Sequence, residues 1–110
     1  MKNIISIIVL ALTLFAGKSY ALGLKDYISG RNTDLSDALI LTMGQSFDIA
    51  NAVLEHQERD PLYCPPQKLP ISSKQYDEIL MRYVDNEDIE GNKSTEILLL
   101  FALMDVFPCH

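Results

Sequence analysis

Cys64 and Cys109 are the two cysteines of this chain, 45 positions apart, with no third to compete for either. Whether they pair depends on the compartment, because disulfides persist in oxidising surroundings and are kept reduced in the cytosol. The first residues bear on that. Met1-Lys2-Asn3 is a short basic start, Ile4–Ala16 is apolar except for Ser6 and Thr13, and Ser19-Tyr20-Ala21 puts small residues where a signal peptidase reads. This is the tripartite pattern of a secretory signal over residues 1–21, with cleavage expected after Ala21. A membrane anchor needs roughly 20 apolar residues; this run is shorter, and Lys18 interrupts its continuation. No cysteine stands at the cleavage point to carry a lipid. Export is therefore expected, and two cysteines in an exported chain are expected to pair with each other. Closing that loop would remove unfolded-state entropy worth about 4 kcal/mol, beside a total stability on the order of 5 kcal/mol for a small domain.

Two rival uses of the cysteines are weaker. Cys64, Cys109 and His110, with or without His56, match no zinc spacing, so no metal and no cofactor is expected. A Cys–His catalytic dyad would place its nucleophile at the last positions of the chain, without a rigid surround. A hydrolase also needs a nucleophile, a base and an orienting group converging in one pocket, and the two histidines do not offer that. No catalytic residue is expected.

Residues 22–110 are one domain at most, small enough that a hydrophobic core alone leaves a thin margin. Lys2 and Lys18 leave with the signal, so seven basic residues face fifteen acidic ones and the formal charge moves from −6 to −8. Such a surface repels nucleic acid and anionic membrane and would be steered toward a basic partner. A negative surface also serves plain solubility.

The patterning predicts helices and no strands. Leu22–Gly30 reads as a short amphipathic helix stopped by Gly30. Asn32, Thr33 and Asp34 can cap a long helix to about Glu58, with apolar residues at helical spacing at Leu35, Ala38, Leu39, Met43, Phe47, Ala50, Val53 and Leu54. A second face of that helix carries Asp37, Gly44, Asp48, Asn51 and Glu55. Pro65, Pro66 and Pro70 make the segment around Cys64 extended or turn-like. Ser72 and Gln75 form a capping-box pattern before a helix with Tyr76, Ile79, Leu80, Tyr83 and Val84 on one side. Asp85–Lys93 reads as an acidic, solvated loop. Asn92 or Ser94 caps a last helix that Pro108 ends, and Ile97–Met104 is apolar at eight consecutive positions. A helix apolar all round belongs at the centre of a bundle. The fold class is therefore all-α, a small helical bundle around a central apolar C-terminal helix, closed by one disulfide.

Tyr63-Cys64-Pro65-Pro66, the Ser-Ser-x-Gln helix start, Gly44 with Asp48 four residues on, Ala102-Leu103 and Phe107-Pro108-Cys109 occur in an order that resembles one family. The chain is similar to the Rap/Tai immunity proteins, small exported helical proteins that protect bacteria from peptidoglycan amidase toxins delivered by type VI secretion. The resemblance spans residues 40–110 and hardly touches 22–39. It implies a periplasmic protein that binds an NlpC-type cysteine peptidase acting as a peptidoglycan amidase toxin and blocks its active cleft, and it implies that the chain can pair as a homodimer.

Each matched residue has a structural use as well: a staple at Cys64 and Cys109, a close approach at Gly44, core at Ala102 and Leu103. The partner contacts must come from elsewhere. Loops enter concave sites, so the acidic segment is the first candidate, through Asp85, Asn86, Glu87, Asp88, Glu90 and Asn92. Asp48, within the polar face Asp37–Asp48–Asn51–Glu55, is the second, as a toxin contact or a dimer face. The alternative function is a periplasmic acid-stress chaperone, a class of the same size and architecture that opens when its carboxylates protonate.

Overall fold

The computed structural model describes residues 22–66 and 70–110; the signal-peptide reading of residues 1–21 lies outside the described residues. Among the described residues four helices follow one another: α1 (Leu24–Ser29), α2 (Asp34–His56), α3 (Ser73–Glu87) and α4 (Thr95–Val106). Among the described residues there is no β-strand, only an isolated antiparallel bridge between Gly23 and Ser94. The all-α class is as expected.

Helix starts obey local chemistry. Thr33 caps α2: its hydroxyl accepts from the Ser36 amide at 3.1 Å, and the Ser36 hydroxyl accepts from the Thr33 amide at 3.2 Å. Ser72 and Gln75 close the same reciprocal box on α3, at 3.2 and 2.8 Å. Each box satisfies two amides that a helix start leaves without partners. The ends of α2 and α3 turn on non-glycine residues in the left-handed region, Glu58 (φ 57°) after α2 and Asp88 (φ 50°) at the end of α3.

The core is built from Leu24 and Tyr27 of α1, Ile40 of α2, Tyr63 of the segment after α2, Tyr76, Leu80 and Val84 of α3, and Leu98, Leu99, Ala102 and Leu103 of α4. Two expectations are corrected here. The apolar row of α2 is only partly covered: Leu35, Ala38, Leu39 and Val53 are exposed, whereas Met43, Phe47, Ala50 and Leu54 are half-buried, Met43 and Phe47 against the core. The buried residues of α2 are Ser36, Ile40, Gly44 and Asn51. The helix is rolled so that its polar side meets α3 and the segment after Pro61, because that side carries the one residue without a side chain and the groups that bond inward. The second correction concerns α4. It packs most extensively on α3, but it is not surrounded; Ile97, Phe101 and Met104, at spacings of four and three on the side away from its core residues, are 54, 46 and 42 % exposed.

Cys64 and Cys109 are joined, with Cα atoms 5.0 Å apart. The Cys64 amide also donates to the Phe107 carbonyl at 2.8 Å, and the rings of Tyr63 and Phe107 lie 6.5 Å apart. The end of α4 is thus tied to the proline-rich segment by a covalent bond, a hydrogen bond and a ring contact.

Candidate partner-binding surfaces

A framework of tyrosines and carboxylates fixes the scaffold on which any surface must sit. Asp48 Oδ1 accepts from the Tyr63 hydroxyl at 2.5 Å and Oδ2 from the Tyr76 hydroxyl at 3.2 Å. One turn on, the Asn51 amide donates to the Tyr63 carbonyl at 3.0 Å and its oxygen accepts from the Leu62 amide at 2.7 Å. Burial, reinforced by the Asp48 carboxylate, pushes both phenols well above the ordinary tyrosine range, so they remain protonated donors. Between them, the Tyr76 ring covers Gly44, where a Cβ would come to 2.1 Å from the ring. Gly44, Asp48 and Asn51 therefore serve the junction of α2, α3 and residues 62–64. The polar face expected as a second partner or dimer surface is turned inward at Gly44 and Asn51; Asp48 is exposed while its carboxylate holds the two tyrosine hydroxyls, and Asp37 and Glu55 are exposed as well.

A second link closes the other end of the bundle. Arg31 Nη2 meets Asp77 Oδ2 at 2.6 Å, Arg31 Nε donates to Oδ1 at 3.0 Å, and the Tyr27 hydroxyl donates to the same Oδ1 at 2.6 Å. Burial would raise the Asp77 pKa, but hydrogen bonds from Arg31 and Tyr27 outweigh it and hold the carboxyl below its usual range. Neither Asp77 nor its two partners stood out in the sequence, since nothing in their spacing brings Arg31 to a residue 46 positions later.

The acidic segment divides into two parts. Asp85, Asn86 and Glu87 form the last turn of α3, correcting the expected loop start. Carboxylates there oppose the helix dipole, yet the helix continues because Val84 is buried and the Ile89 amide bonds back to the Val84 carbonyl at 3.2 Å. Asp88, Glu90 and Asn92 follow in the turn. All six candidate side chains are exposed, whereas Ile89 between them is half-buried. The turn is backed by chain: the amides of Leu24 and Lys25 donate to the carbonyls of Lys93 and Gly91 at 2.8 and 2.9 Å, and the Thr95 amide donates to the Leu22 carbonyl at 2.8 Å. Asp85 and Glu87 thus project from the end of α3, and Asp88 and Glu90 from the turn after it, whose far side is pinned at Gly91, Lys93 and Thr95 to residues 22–25.

No protein-family model, curated protein or solved structure matches the chain.

Other features are modest. A shallow recess of about 190 Å³ beside the disulfide is lined by Ile71, Gln75, Glu78, Ile79, Arg82 and Phe107. Among the described residues, no group of three or more His, Cys, Asp or Glu is placed to hold a metal, and no helix is long and apolar enough to cross a membrane. The hydroxyl of Thr95, fully buried, has no hydrogen-bond partner among the described residues. Two further surfaces were not recognised from sequence: the open apolar sides of α2 and α4. Their residues are apolar at helical spacing, and spacing alone does not say whether such a face is covered.

Proposed function

We propose that the protein is a periplasmic immunity protein that binds an NlpC-type peptidoglycan amidase toxin and blocks its active cleft. The observation that carries the reading is the pinned acidic turn. Asp85, Asn86 and Glu87 are exposed on the last turn of α3, and Asp88, Glu90 and Asn92 on the turn that follows, whose Gly91 and Lys93 carbonyls are bonded by the amides of Lys25 and Leu24. A projection ordered before binding loses less entropy on entering a cleft, and its acids suit a basic rim or the imidazolium of a Cys–His pair. The protein itself contributes no nucleophile in this reading; it acts by occupation. The disulfide between Cys64 and Cys109 suits an oxidising compartment. The exposed Ile97–Phe101–Met104 side of α4 adds apolar area of a kind enriched at interface centres.

Co-expression tests the reading. Cells that export a type VI amidase of the NlpC class should survive when this protein is exported with it and lyse when it is absent. Asp85→Lys with Glu87→Lys and Asp88→Lys should remove protection while the purified variant keeps its helical circular dichroism. Equal lysis with and without the wild-type protein, across a panel of such toxins, contradicts the proposal.

One observation favours the acid-stress chaperone as the second reading. The α2 and α4 faces leave apolar surface open, as a client-binding protein requires, and the Arg31–Asp77–Tyr27 link weakens when its carboxylate protonates. Suppression of client aggregation at about pH 2–3, absent at neutral pH, would favour that reading over the immunity one.

A further inference from the structure

The recess beside the disulfide runs along α3. Gln75, Glu78, Ile79 and Arg82 share one face of that helix, Ile71 precedes it, and Phe107 comes from the end of α4. Ile71, Ile79 and Phe107 are half-buried and pack on the core, so they make an apolar floor. Gln75, Glu78 and Arg82 are exposed and form the rim. The floor is firmly held. The Phe107 amide donates to the Leu103 carbonyl at 2.9 Å, the Phe107 carbonyl accepts from the Cys64 amide at 2.8 Å, and the disulfide anchors the chain two residues further on. At the rim, the Gln75 side-chain oxygen accepts from the Ser72 amide at 2.8 Å, and its NH2 group is still able to donate. A site ordered before its ligand arrives loses less on binding.

Glu78 and Arg82 are four positions apart with the acid first, the order that favours an ion pair along a helix. They do not pair; among the described residues the ion pair is Arg31–Asp77. One negative and one positive charge therefore stand a turn apart, about 6 Å along the axis, beside a shared apolar floor. A ligand with a single charge leaves the other rim charge unmatched, and an uncharged ligand leaves both partly stripped of water. A ligand with both charges and an apolar body matches all three features. Carrying no net charge, it is also not repelled by an acidic surface. Size narrows the choice. The recess holds about 190 Å³, less than the roughly 300–1,000 Å³ of sites for drug-sized ligands. It equals about six waters at ~30 Å³ each, which is room for one side chain of leucine or phenylalanine size.

We propose that this recess binds a free α-amino acid with a large apolar side chain. Arg82 takes its carboxylate, Glu78 its ammonium, and the side chain lies on Ile71, Ile79 and Phe107. The recess shares no residue with the acidic segment, and the inference does not rest on the immunity reading.

Titration of the purified protein with L-leucine, followed by NMR, tests it. The methyl signals of Ile71 and Ile79 and the ring signals of Phe107 should shift together and saturate. A Kd on the order of 1 mM is expected, modest because both charged contacts stay exposed to water. N-acetyl-L-leucine, which lacks the ammonium, and L-leucinamide, which lacks the carboxylate, should each bind about fivefold more weakly, the value of one exposed ion pair. Glu78→Gln and Arg82→Gln should each weaken L-leucine by about the same factor. Both side chains are exposed, so unchanged helical circular dichroism separates a lost contact from lost folding. In Glu78→Gln, L-leucine and its N-acetyl form should bind alike, because the partner of the ammonium is gone. The absence of a saturable shift at the recess overturns the proposal. Equal affinity of the wild type for L-leucine and both derivatives overturns the amino-acid assignment, and binding indifferent to both substitutions overturns the placement at Glu78 and Arg82.

Discussion

Gly44 lies beneath the ring of Tyr76, and the Tyr76 hydroxyl is bonded to Asp48 one helical turn further on. Position 44 thus has no room for a side chain, because the ring is fully buried and cannot swing aside without breaking its hydrogen bond. Gly44→Ala is expected to destabilise the domain by about 3 kcal/mol, the upper part of the range for overpacking a core, although alanine is the better helix former. Chemical denaturation of the two proteins measures it; a variant as stable as wild type would mean that α2 and α3 are not in this register. At the same scale, the sequence singled out Gly44 and Asp48 as a pair but not their partners. Tyr63 and Tyr76 are 15 and 28 positions from Asp48, and no local pattern carries information over that distance.

At the scale of elements, α1 is six residues long, too short to persist alone. It is held by links to distant parts of the chain. The Arg31 and Tyr27 bonds to Asp77 join the α1 end to α3. Because the folded Asp77 pKa is lowered, this link contributes fully above the unfolded value, near 3.9, and is lost as pH falls through the folded value. Asp77→Asn should therefore cost about 1–2 kcal/mol at pH 7, discounted for the solvent contact of Arg31, and the gap to wild type should close as pH falls below the ordinary carboxylate range and through the lowered folded value. Thermal unfolding across that range measures it, and a pH-independent gap would contradict the assignment. The second link is at Leu22, whose nitrogen donates to Glu96 Oε1 at 3.1 Å. Burial would raise the Glu96 pKa, but the Ser94 hydroxyl and the backbone amides of Glu96 and Leu22 hold it below its usual range. If export ends in cleavage after Ala21, that nitrogen becomes an ammonium and the bond an ion pair. Glu96→Gln should then destabilise a protein starting at Leu22 by about 1 kcal/mol more than one retaining Ala21. Intact mass identifies the processed start, and equal losses in the two forms would show that no charge is gained there.

For the whole molecule, the disulfide closes a 45-residue span that includes α3 and α4. Reduction, or Cys64→Ser with Cys109→Ser, should cost about 4 kcal/mol through the freed unfolded chain. That exceeds the margin of many small domains, so loss of cooperative thermal unfolding is the expected result. A reduced protein that melts unchanged would mean the hydrogen bonds of Cys64, Asn51 and Tyr63 suffice.

The sequence by itself determined the all-α class, the Ser72–Gln75 capping box, the bounds of α2 within two residues and the pairing of Cys64 with Cys109. Each of these depends on neighbours within a turn or on there being only two cysteines. Tertiary structure alone decided which side of α2 is buried, that α4 keeps an open side, and that the acidic segment begins inside α3. An apolar row at helical spacing is the same whether a second helix of this chain or a separate molecule covers it. On α2 the choice went to the polar side because Gly44 admits the Tyr76 ring and because Asp48 and Asn51 find donors and acceptors there. Those three contacts outweigh the apolar row, and they become visible only when residues 44 to 76 are brought together in space.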